Sequence, residues 1–206
     1  GMMRYGIPGF RTPRAVLDAE IQRILDLGVT ARMYTRIGTD ITMEQIRAEH
    51  DAVFLGLGAQ SGRPLPVEGS DAPNCVTATA YLKAFNDGRL RHVGKRVVVV
   101  GGGDTSIDVA TVSRRLGHIE KINPSDRPEH AIAGYVAHDV AEVSAKQGAD
   151  VTLTSIFAVD KMQASRHEVE QALAEGIAIR GGLAPVAVVR GADGRAVALR
   201  VMRCEA

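Results

Sequence analysis

Tryptophan is absent from this 206-residue sequence, and aromatic residues make up only 4% of it. Because proteins that bind single-stranded nucleic acid stack the bases on aromatic side chains, such a partner is not expected. Neither sign of charge is in excess, since 25 Lys and Arg balance 24 Asp and Glu. Without a basic excess, neither nucleic acid nor an anionic membrane surface is expected as the main partner.

Cysteines and long apolar runs are also scarce. Cys75 and Cys204 are the only cysteines, and they do not form a CxxC pair. This favours a reducing compartment and argues against a thiolate metal site. No apolar run approaches the ~20 residues of a membrane span, and no signal peptide is visible at the start. We therefore expect a cytoplasmic protein that does not associate with a membrane.

Metal-ligand spacings and nucleophile motifs are missing as well. His130 and His138 are eight residues apart on a predicted helix, which separates them by ~12 Å along the axis at the usual rise per residue. They are too far apart to share one ion unless the helix breaks. We therefore expect no metal site and no catalytic residue of the hydrolase type.

Alternating helices and strands are predicted from the apolar periodicity and the capping residues. Pro13 suits the first position of a helix, and two helix starts carry a capping box, formed by Thr42 with Gln45 and by Ser165 with Glu168. The predicted helices cover residues 12–29, 42–50, 77–85, 104–116 and 165–176, and the predicted strands cover 29–35, 51–59, 95–100 and 151–157. The strands at 51–59 and 95–100 are apolar without alternation and are expected to be buried. Two further strands around an Asp193-Gly194 turn predict a C-terminal β-hairpin. The fold class predicted is α/β, with a Rossmann-type parallel sheet and flanking helices.

An internal repeat explains an irregular spacing. "DVATVSRRLG" starts at Asp108 and "DVAEVSAKQG" starts at Asp139, with six of ten positions identical. A dinucleotide-binding fold needs its second strand to end ~20 residues after the glycines, which falls near Glu120 in a stretch with little apolar content. If residues 118–148 are an insertion that arose with the repeat, residues 151–157 become the second strand. Such an insertion is expected to be peripheral, so that its deletion leaves a folded domain. The stretch around Glu120 is the alternative.

Three glycines follow the strand "VVVV" directly. In a strand–glycine–helix unit, Gly101 allows the tight turn and Gly103 lets a pyrophosphate approach the backbone, while Ser106 stands where a small residue is needed. Phosphates would then meet the free N–H groups of the following helix. The alternative is a glycine turn that holds no ligand. Asp104 is unusual beside phosphates, and a helix cap or a bond to a ribose or amide group would explain it.

The segments together resemble the small subunit of glutamate synthase and related flavin-dependent NAD(P)H oxidoreductases. "MRYGIPGFRTPRAVLDAEI", "DAVFLGLGA", "VVVVGGGDTSIDVA" and "KMQASRHEVEQALAEGI" carry the likeness in the family's order. The resemblance implies a partial FAD-domain flank over residues 1–62, a linker over 63–93 and an NAD(P)-binding Rossmann domain over 94–206. It also implies a central fragment of a longer protein, which by itself would be inactive. Leu57 departs from the threonine usual in the second segment.

The same resemblance implies NAD(P)H as a cofactor, with FAD in the full-length parent. Electrons would pass from NAD(P)H through FAD to a redox partner subunit or an iron–sulfur domain. The implied cofactor-binding residues are Gly101, Gly102, Gly103, Asp104, Thr105, Ser106, Asp108, Ile156, Phe157 and Gly58. For Asp108, a structural bond is an equal alternative to cofactor contact.

The specificity strand departs from the family pattern. Where the family has paired arginines for the 2′-phosphate of NADPH, this sequence has Ile156 and Phe157. This predicts no strong preference for NADP and a modest preference for NAD(H). A degenerate nucleotide-binding or interaction module without redox activity is the alternative function; the missing arginines favour it and the intact glycine loop opposes it.

Overall fold

The computed structural model describes residues 1–120, 122–134 and 148–205. Its α-helices are α1 Met2–Tyr5, α2 Arg14–Leu25, α3 Met43–Glu49, α4 Ala78–Asn86, α5 Asp104–Leu116, α6 Pro128–Ala133 and α7 Arg166–Ala174. Its strands are β1 Arg96–Val100, β2 Asp150–Thr154, β3 Ala178–Arg180, β4 Leu183–Arg190 and β5 Ala196–Arg203. Short 3-10 turns occupy Pro124–Asp126 and Val159–Lys161.

A parallel sheet with the order β1-β2-β3 confirms the predicted α/β fold class. β1 pairs with β2 from Arg96 opposite Asp150 to Val100 opposite Thr154. The second strand therefore lies beyond the predicted insertion, as the repeat indicated. The alternative stretch near Glu120 supplies only an isolated bridge between His118 and Val93. The second copy of the repeat, residues 139–148, lies outside the described residues except for Gly148.

The C-terminal hairpin is also confirmed. β4 and β5 pair antiparallel, and Gly194 has a φ of +75° in the turn between them. This left-handed conformation suits glycine because a Cβ would be strained there.

The hydrophobic core lies between the parallel sheet and helices α4, α5 and α7. Leu82, Ile107, Leu153 and Ile177 are its large, fully enclosed side chains. Tyr81 of α4 lies in the same core, where its hydroxyl and Ser113 Oγ of α5 hydrogen bond at 2.7 Å. α4 falls within the stretch predicted as a linker, so that part of the linker packs as a core helix. The domain boundaries at 62/63 and 93/94 stay predictions.

The N-terminal stretch has its predicted helices but not its predicted strands. α3 starts with the expected capping box, in which Thr42 and Gln45 each bond the other's backbone. Residues 29–35 and 51–59 form no strand, and no residue from 9 to 71 is buried. Those two strand predictions are wrong for a physical reason. An apolar run becomes a strand only where a neighbouring strand takes its backbone hydrogen bonds, and the described residues supply none there.

Three finer predictions also need correction. β1 was expected to be buried, yet Val98 is half exposed whereas Val99 is buried. Successive side chains of a strand point to opposite faces of the sheet, and the core contains Val99 but not Val98. Pro13 precedes α2 as its N-cap residue instead of taking the first helical position. Ser165 accepts from Glu168 N–H as a cap should, but the Glu168 side chain does not return the bond, because Asp104 accepts from Ser165 N–H instead.

Candidate nucleotide-binding site

The glycine loop joins the end of β1 to the start of α5. Gly101 has a φ of +143°, and a Cβ there would collide with Ser106 Oγ. A Cβ at Gly102 would come within 2.5 Å of Ser155 Oγ. Gly101 N–H donates to Thr154 O at 2.8 Å, and Gly102 O accepts from Ala164 N–H at 2.9 Å. Glycine is therefore required at both positions so that the loop can lie against the end of β2.

Gly103 differs from the two glycines before it. Its φ of −103° is accessible to any residue, and a Cβ there would meet no atom within 4 Å. Gly103 is also the N-cap residue of α5, and no side chain caps the helix. The open space at Gly103 therefore lies in front of an uncapped helix terminus.

The first turn of α5 has backbone donors to offer. Gly103 O accepts from Ser106 and Ile107 N–H. The N–H groups of Asp104 and Thr105 have no acceptor in the described part of the chain. Such N–H groups, together with the positive end of the helix dipole, form an anion-binding site. The arrangement fits a dinucleotide pyrophosphate: there is room at Gly103, donors follow it, and no side chain of the helix competes.

The predicted adenosine-side residues lie next to this loop. Ile156 and Phe157 follow Ser155 at the carboxyl end of β2, and Phe157 N–H donates to Ser155 Oγ at 3.1 Å. Ile156 is exposed. Arg180 ends β3 opposite Thr154, and Lys161 ends the following 3-10 turn. Within the described ranges neither cation forms an ion pair, whereas Arg166 pairs with Glu170.

Two of the predicted site residues have other partners. The Asp104 carboxylate accepts from Ser165 N–H at 3.0 Å, so it joins the glycine loop to the start of α7. Asp108 is buried and forms an ion pair with Arg11. This ion pair is the structural bond considered for Asp108 in the sequence.

Gly58 is not brought to the glycine loop by any contact found in the described residues. It has a φ of +68° in an exposed stretch without a strand, where its nearest neighbour is Gln60. The described residues around Gly58 therefore form no cradle for the phosphates of FAD.

Sequence reasoning missed Arg11 and Glu168 as neighbours of the site. The Arg11 guanidinium bridges Asp108 of α5 and Glu168 of α7. Burial raises the pKa of the Asp108 carboxyl, while Arg11 opposes the rise. Burial also raises the pKa of Glu168, and the Asp104 and Asp108 carboxylates add to this against the effect of Arg11. Both residues lie within segments that carried the family resemblance, although only Glu168 had been given a role, as a helix cap.

Comparison with known proteins identifies the family. Residues 17–202 match the family model described as pyridine nucleotide-disulphide oxidoreductase. The chain belongs to this family. It is therefore an oxidoreductase-family chain with a pyridine nucleotide as its expected cofactor, as the sequence resemblance implied.

The relatives of this chain include a glutamate synthase small chain, the protein family that the sequence resembles. The chain is 25% identical to the glutamate synthase [NADPH] small chain of Escherichia coli, over all of this chain and 39% of that protein. It is 42% identical over 120 residues to the NADPH-Fe(3+) oxidoreductase subunit beta of Geobacter sulfurreducens, covering 57% of this chain and 18% of that protein. The chain thus spans well under half the length of these two relatives.

A solved structure of similar fold is Mycobacterium tuberculosis FprA in complex with NADPH. It superposes with a TM-score of 0.60 at 14% identity, over all of this chain and 60% of that one. At this identity the likeness shows the fold alone. No helix in the described ranges has the length and apolar character to cross a membrane, and no three His, Cys, Asp or Glu side chains among the described residues are placed so that they could hold a metal ion.

Proposed function

We propose that the glycine loop and the N-terminus of α5 bind the pyrophosphate of NAD(P)H. The observation that carries this is the open space at Gly103, which lies directly before two backbone N–H groups that have no acceptor in the described chain. Each charge-assisted hydrogen bond from such a group contributes about 1.5–3 kcal/mol. Two of them would contribute about 3–6 kcal/mol to the binding of a dinucleotide, and the helix dipole would add to this.

The other residues around the glycine loop have separate roles in nucleotide binding. Gly101 and Gly102 allow the loop to lie close to β2, and Ser106 fills the space against Gly101. Thr105 is exposed beside the proposed phosphate position. Ile156 and Phe157 follow β2 on the side where the adenosine ribose lies in folds of this kind. Asp108 contributes through its ion pair with Arg11 rather than by touching the cofactor.

In the complete protein, NAD(P)H bound at this loop would supply electrons to a redox partner subunit or an iron–sulfur domain. Family membership supports this, and so does the fact that two relatives are a beta subunit and a small chain of named oxidoreductases. Glutamate synthase-like specificity and a cytoplasmic location belong to the same proposal. The cofactor carries the hydride chemistry, so the protein needs to supply binding and orientation but no catalytic acid or base.

A nucleotide titration tests the proposal. NADH and NADPH are each titrated into the 206-residue chain, and binding is followed by the change in nucleotide fluorescence. We expect saturable binding by at least one of them, competed by ADP-ribose, which carries the same pyrophosphate. Failure of both nucleotides to bind would contradict the proposal and favour an interaction module without redox activity.

Cofactor choice is a separate prediction. Ile156 and Phe157 supply neither charge nor hydrogen-bond donors, so a 2′-phosphate gains nothing from the end of β2. We expect a modest preference for NADH and at most similar affinity for NADPH. The double variant I156R/F157R should shift the preference toward NADPH, because paired guanidinium groups bind a phosphate bidentately.

Three cations near the carboxyl end of β2 could still bind the 2′-phosphate of NADPH, so they define the result that would contradict the predicted preference. NADPH binding tenfold tighter than NADH, and loss of this difference in Lys161→Ala, Arg166→Ala or Arg180→Ala, would contradict the predicted preference. Arg180 and Lys161 are the sharper variants, because Arg166 is already paired with Glu170.

A further inference from the structure

Three carboxylates meet beside the proposed phosphate site, and we name them the carboxylate cluster: Asp104, Asp108 and Glu168. Asp104 and Asp108 are four residues apart on α5 and therefore lie on the same side of that helix. Glu168 comes from the first turn of α7. Arg11, from the segment before α2, pairs with both Asp108 and Glu168. One guanidinium thus pairs with two of the three acidic groups.

One oxygen atom of the carboxylate cluster accepts no hydrogen bond from the described residues. Glu168 Oε2 is buried and has no partner among the described residues. In a full capping box this carboxylate would accept from Ser165 N–H, but Asp104 accepts that hydrogen bond at 3.0 Å. A buried carboxylate oxygen beside a second carboxylate gains a partner if one proton is shared between them. The geometry therefore favours a retained proton at Glu168.

Bound phosphates would add to the excess of negative charge in the carboxylate cluster. Asp104 is the first residue of α5, so its carboxylate belongs to the turn whose N–H groups face the proposed pyrophosphate. A pyrophosphate brings about two further negative charges next to the cluster. Nearby like charges favour the protonated form of a carboxyl group, so the ligand and the proton strengthen each other's binding.

We propose that nucleotide binding at the glycine loop is linked to proton uptake by the carboxylate cluster, with Glu168 as the main acceptor and Arg11 as its counter-charge. This inference rests on the proposed function. Glu168 is a positioning residue here and does not touch the nucleotide. Its charged neighbours are Arg11 from the N-terminal segment and Asp104 and Asp108 from α5, while His167 precedes it on α7.

Titration calorimetry measures the linkage directly. NAD⁺ or NADP⁺, whichever binds more tightly, is titrated into the 206-residue chain in buffers of different ionisation enthalpy between about pH 5.5 and 8. We expect net proton uptake on binding and an affinity that falls by about fivefold as the pH rises across this range. Glu168→Gln should reduce the uptake to less than half and flatten the pH profile.

Two control variants isolate the group. Glu170→Gln removes an exposed carboxylate from the same helix, paired with Arg166 and outside the cluster, and should keep the full uptake. His167→Asn removes the imidazole next to Glu168 and should also keep the full uptake.

Arg11→Gln should weaken nucleotide binding, and the double variant R11Q/E168Q should recover much of the loss because it removes one positive and one negative charge together.

The outcomes separate this inference from the proposed function. No nucleotide binding at any pH would overturn both. Binding without net proton uptake would overturn the inference alone, as would uptake that Glu168→Gln leaves unchanged or that His167→Asn abolishes. Failure of E168Q to restore binding in the Arg11→Gln background, with the double variant still folded, would show that Arg11 only holds the two helices together.

Discussion

Replacing Gly103 with aspartate is expected to abolish nucleotide binding without unfolding the protein. The backbone at Gly103 has a φ of −103° and a ψ of 172°, which is the extended conformation of an ordinary N-cap residue. An added side chain would meet no atom within 4 Å. Its carboxylate would accept from the first-turn N–H groups of α5, so it would occupy the place of the phosphates and repel them.

The expected effects on affinity and stability have opposite signs. Losing two charge-assisted hydrogen bonds should weaken binding by at least about 100-fold, equivalent to ~2.7 kcal/mol. The free energy of unfolding should stay the same or rise by a few tenths of a kcal/mol, because aspartate is as good an N-cap as glycine or better. Nucleotide fluorescence titration and thermal unfolding of the same variant measure both.

Gly94→Asp is the matched control. Gly94 comes before β1, at the opposite end of that strand from the glycine loop, and a Cβ there would have its nearest neighbour at 3.9 Å. This variant adds the same charge at a position far from the proposed phosphates, so it should bind nucleotide normally. Unchanged binding in Gly103→Asp, or equal losses in both variants, would place the nucleotide elsewhere.

The nucleotide-binding half of the fold could be predicted because its signals are local. The strand, the glycines and the following helix are contiguous, and α5 covers the predicted residues 104–116. The repeat then located β2 by removing a stretch that spacing rules could not accommodate. The hairpin followed from an Asp-Gly turn between two alternating segments. In each case a few neighbouring residues determine the conformation, so a single sequence is enough.

The features that sequence reasoning predicted wrongly or missed depend on residues far apart in the chain. Residues 29–35 and 51–59 are apolar enough for strands, but a strand depends on a partner elsewhere in the chain, and periodicity does not reveal whether one is present. Arg11 was missed because its partners Asp108 and Glu168 are 97 and 157 residues away in sequence. No spacing rule connects positions so distant, and only the tertiary fold brings the guanidinium to the two helices.

The predicted insertion, residues 118–148, was expected to be peripheral to the domain, such that its deletion would leave a folded protein. Its described part nevertheless packs against other elements. Ala131 is buried, its carbonyl accepts from Arg89, and Glu129 forms an ion pair with Arg195 at the turn of the hairpin. The insertion thus joins the segment after α4 to the C-terminal hairpin, and the Glu129–Arg195 pair is where its contribution to stability can be measured.

Arg195→Met is expected to destabilise the protein substantially. The side chain of Glu129 is only 6% exposed, whereas that of Arg195 is 22% exposed. Removing the guanidinium leaves a buried carboxylate without its counter-charge, which typically costs 3–5 kcal/mol. Because Arg195 is partly solvated, we expect about 2 kcal/mol, or a fall in Tm of roughly 4–8 °C for a chain of this size.

Two further variants test whether the buried carboxylate is the cause. Asp193, the other acidic neighbour of Arg195, is 58% exposed and lies 3.8 Å from the guanidinium. Asp193→Asn keeps the side-chain oxygen that accepts from Arg195 N–H in the turn and should change stability by less than ~0.5 kcal/mol. The double variant E129M/R195M should regain most of the loss, since replacing both members of a buried pair with apolar residues is often neutral. If Arg195→Met and Asp193→Asn unfold at the same temperature as the unaltered chain, the contact between the insertion and the hairpin adds nothing to stability, and the peripheral interpretation of residues 118–148 stands.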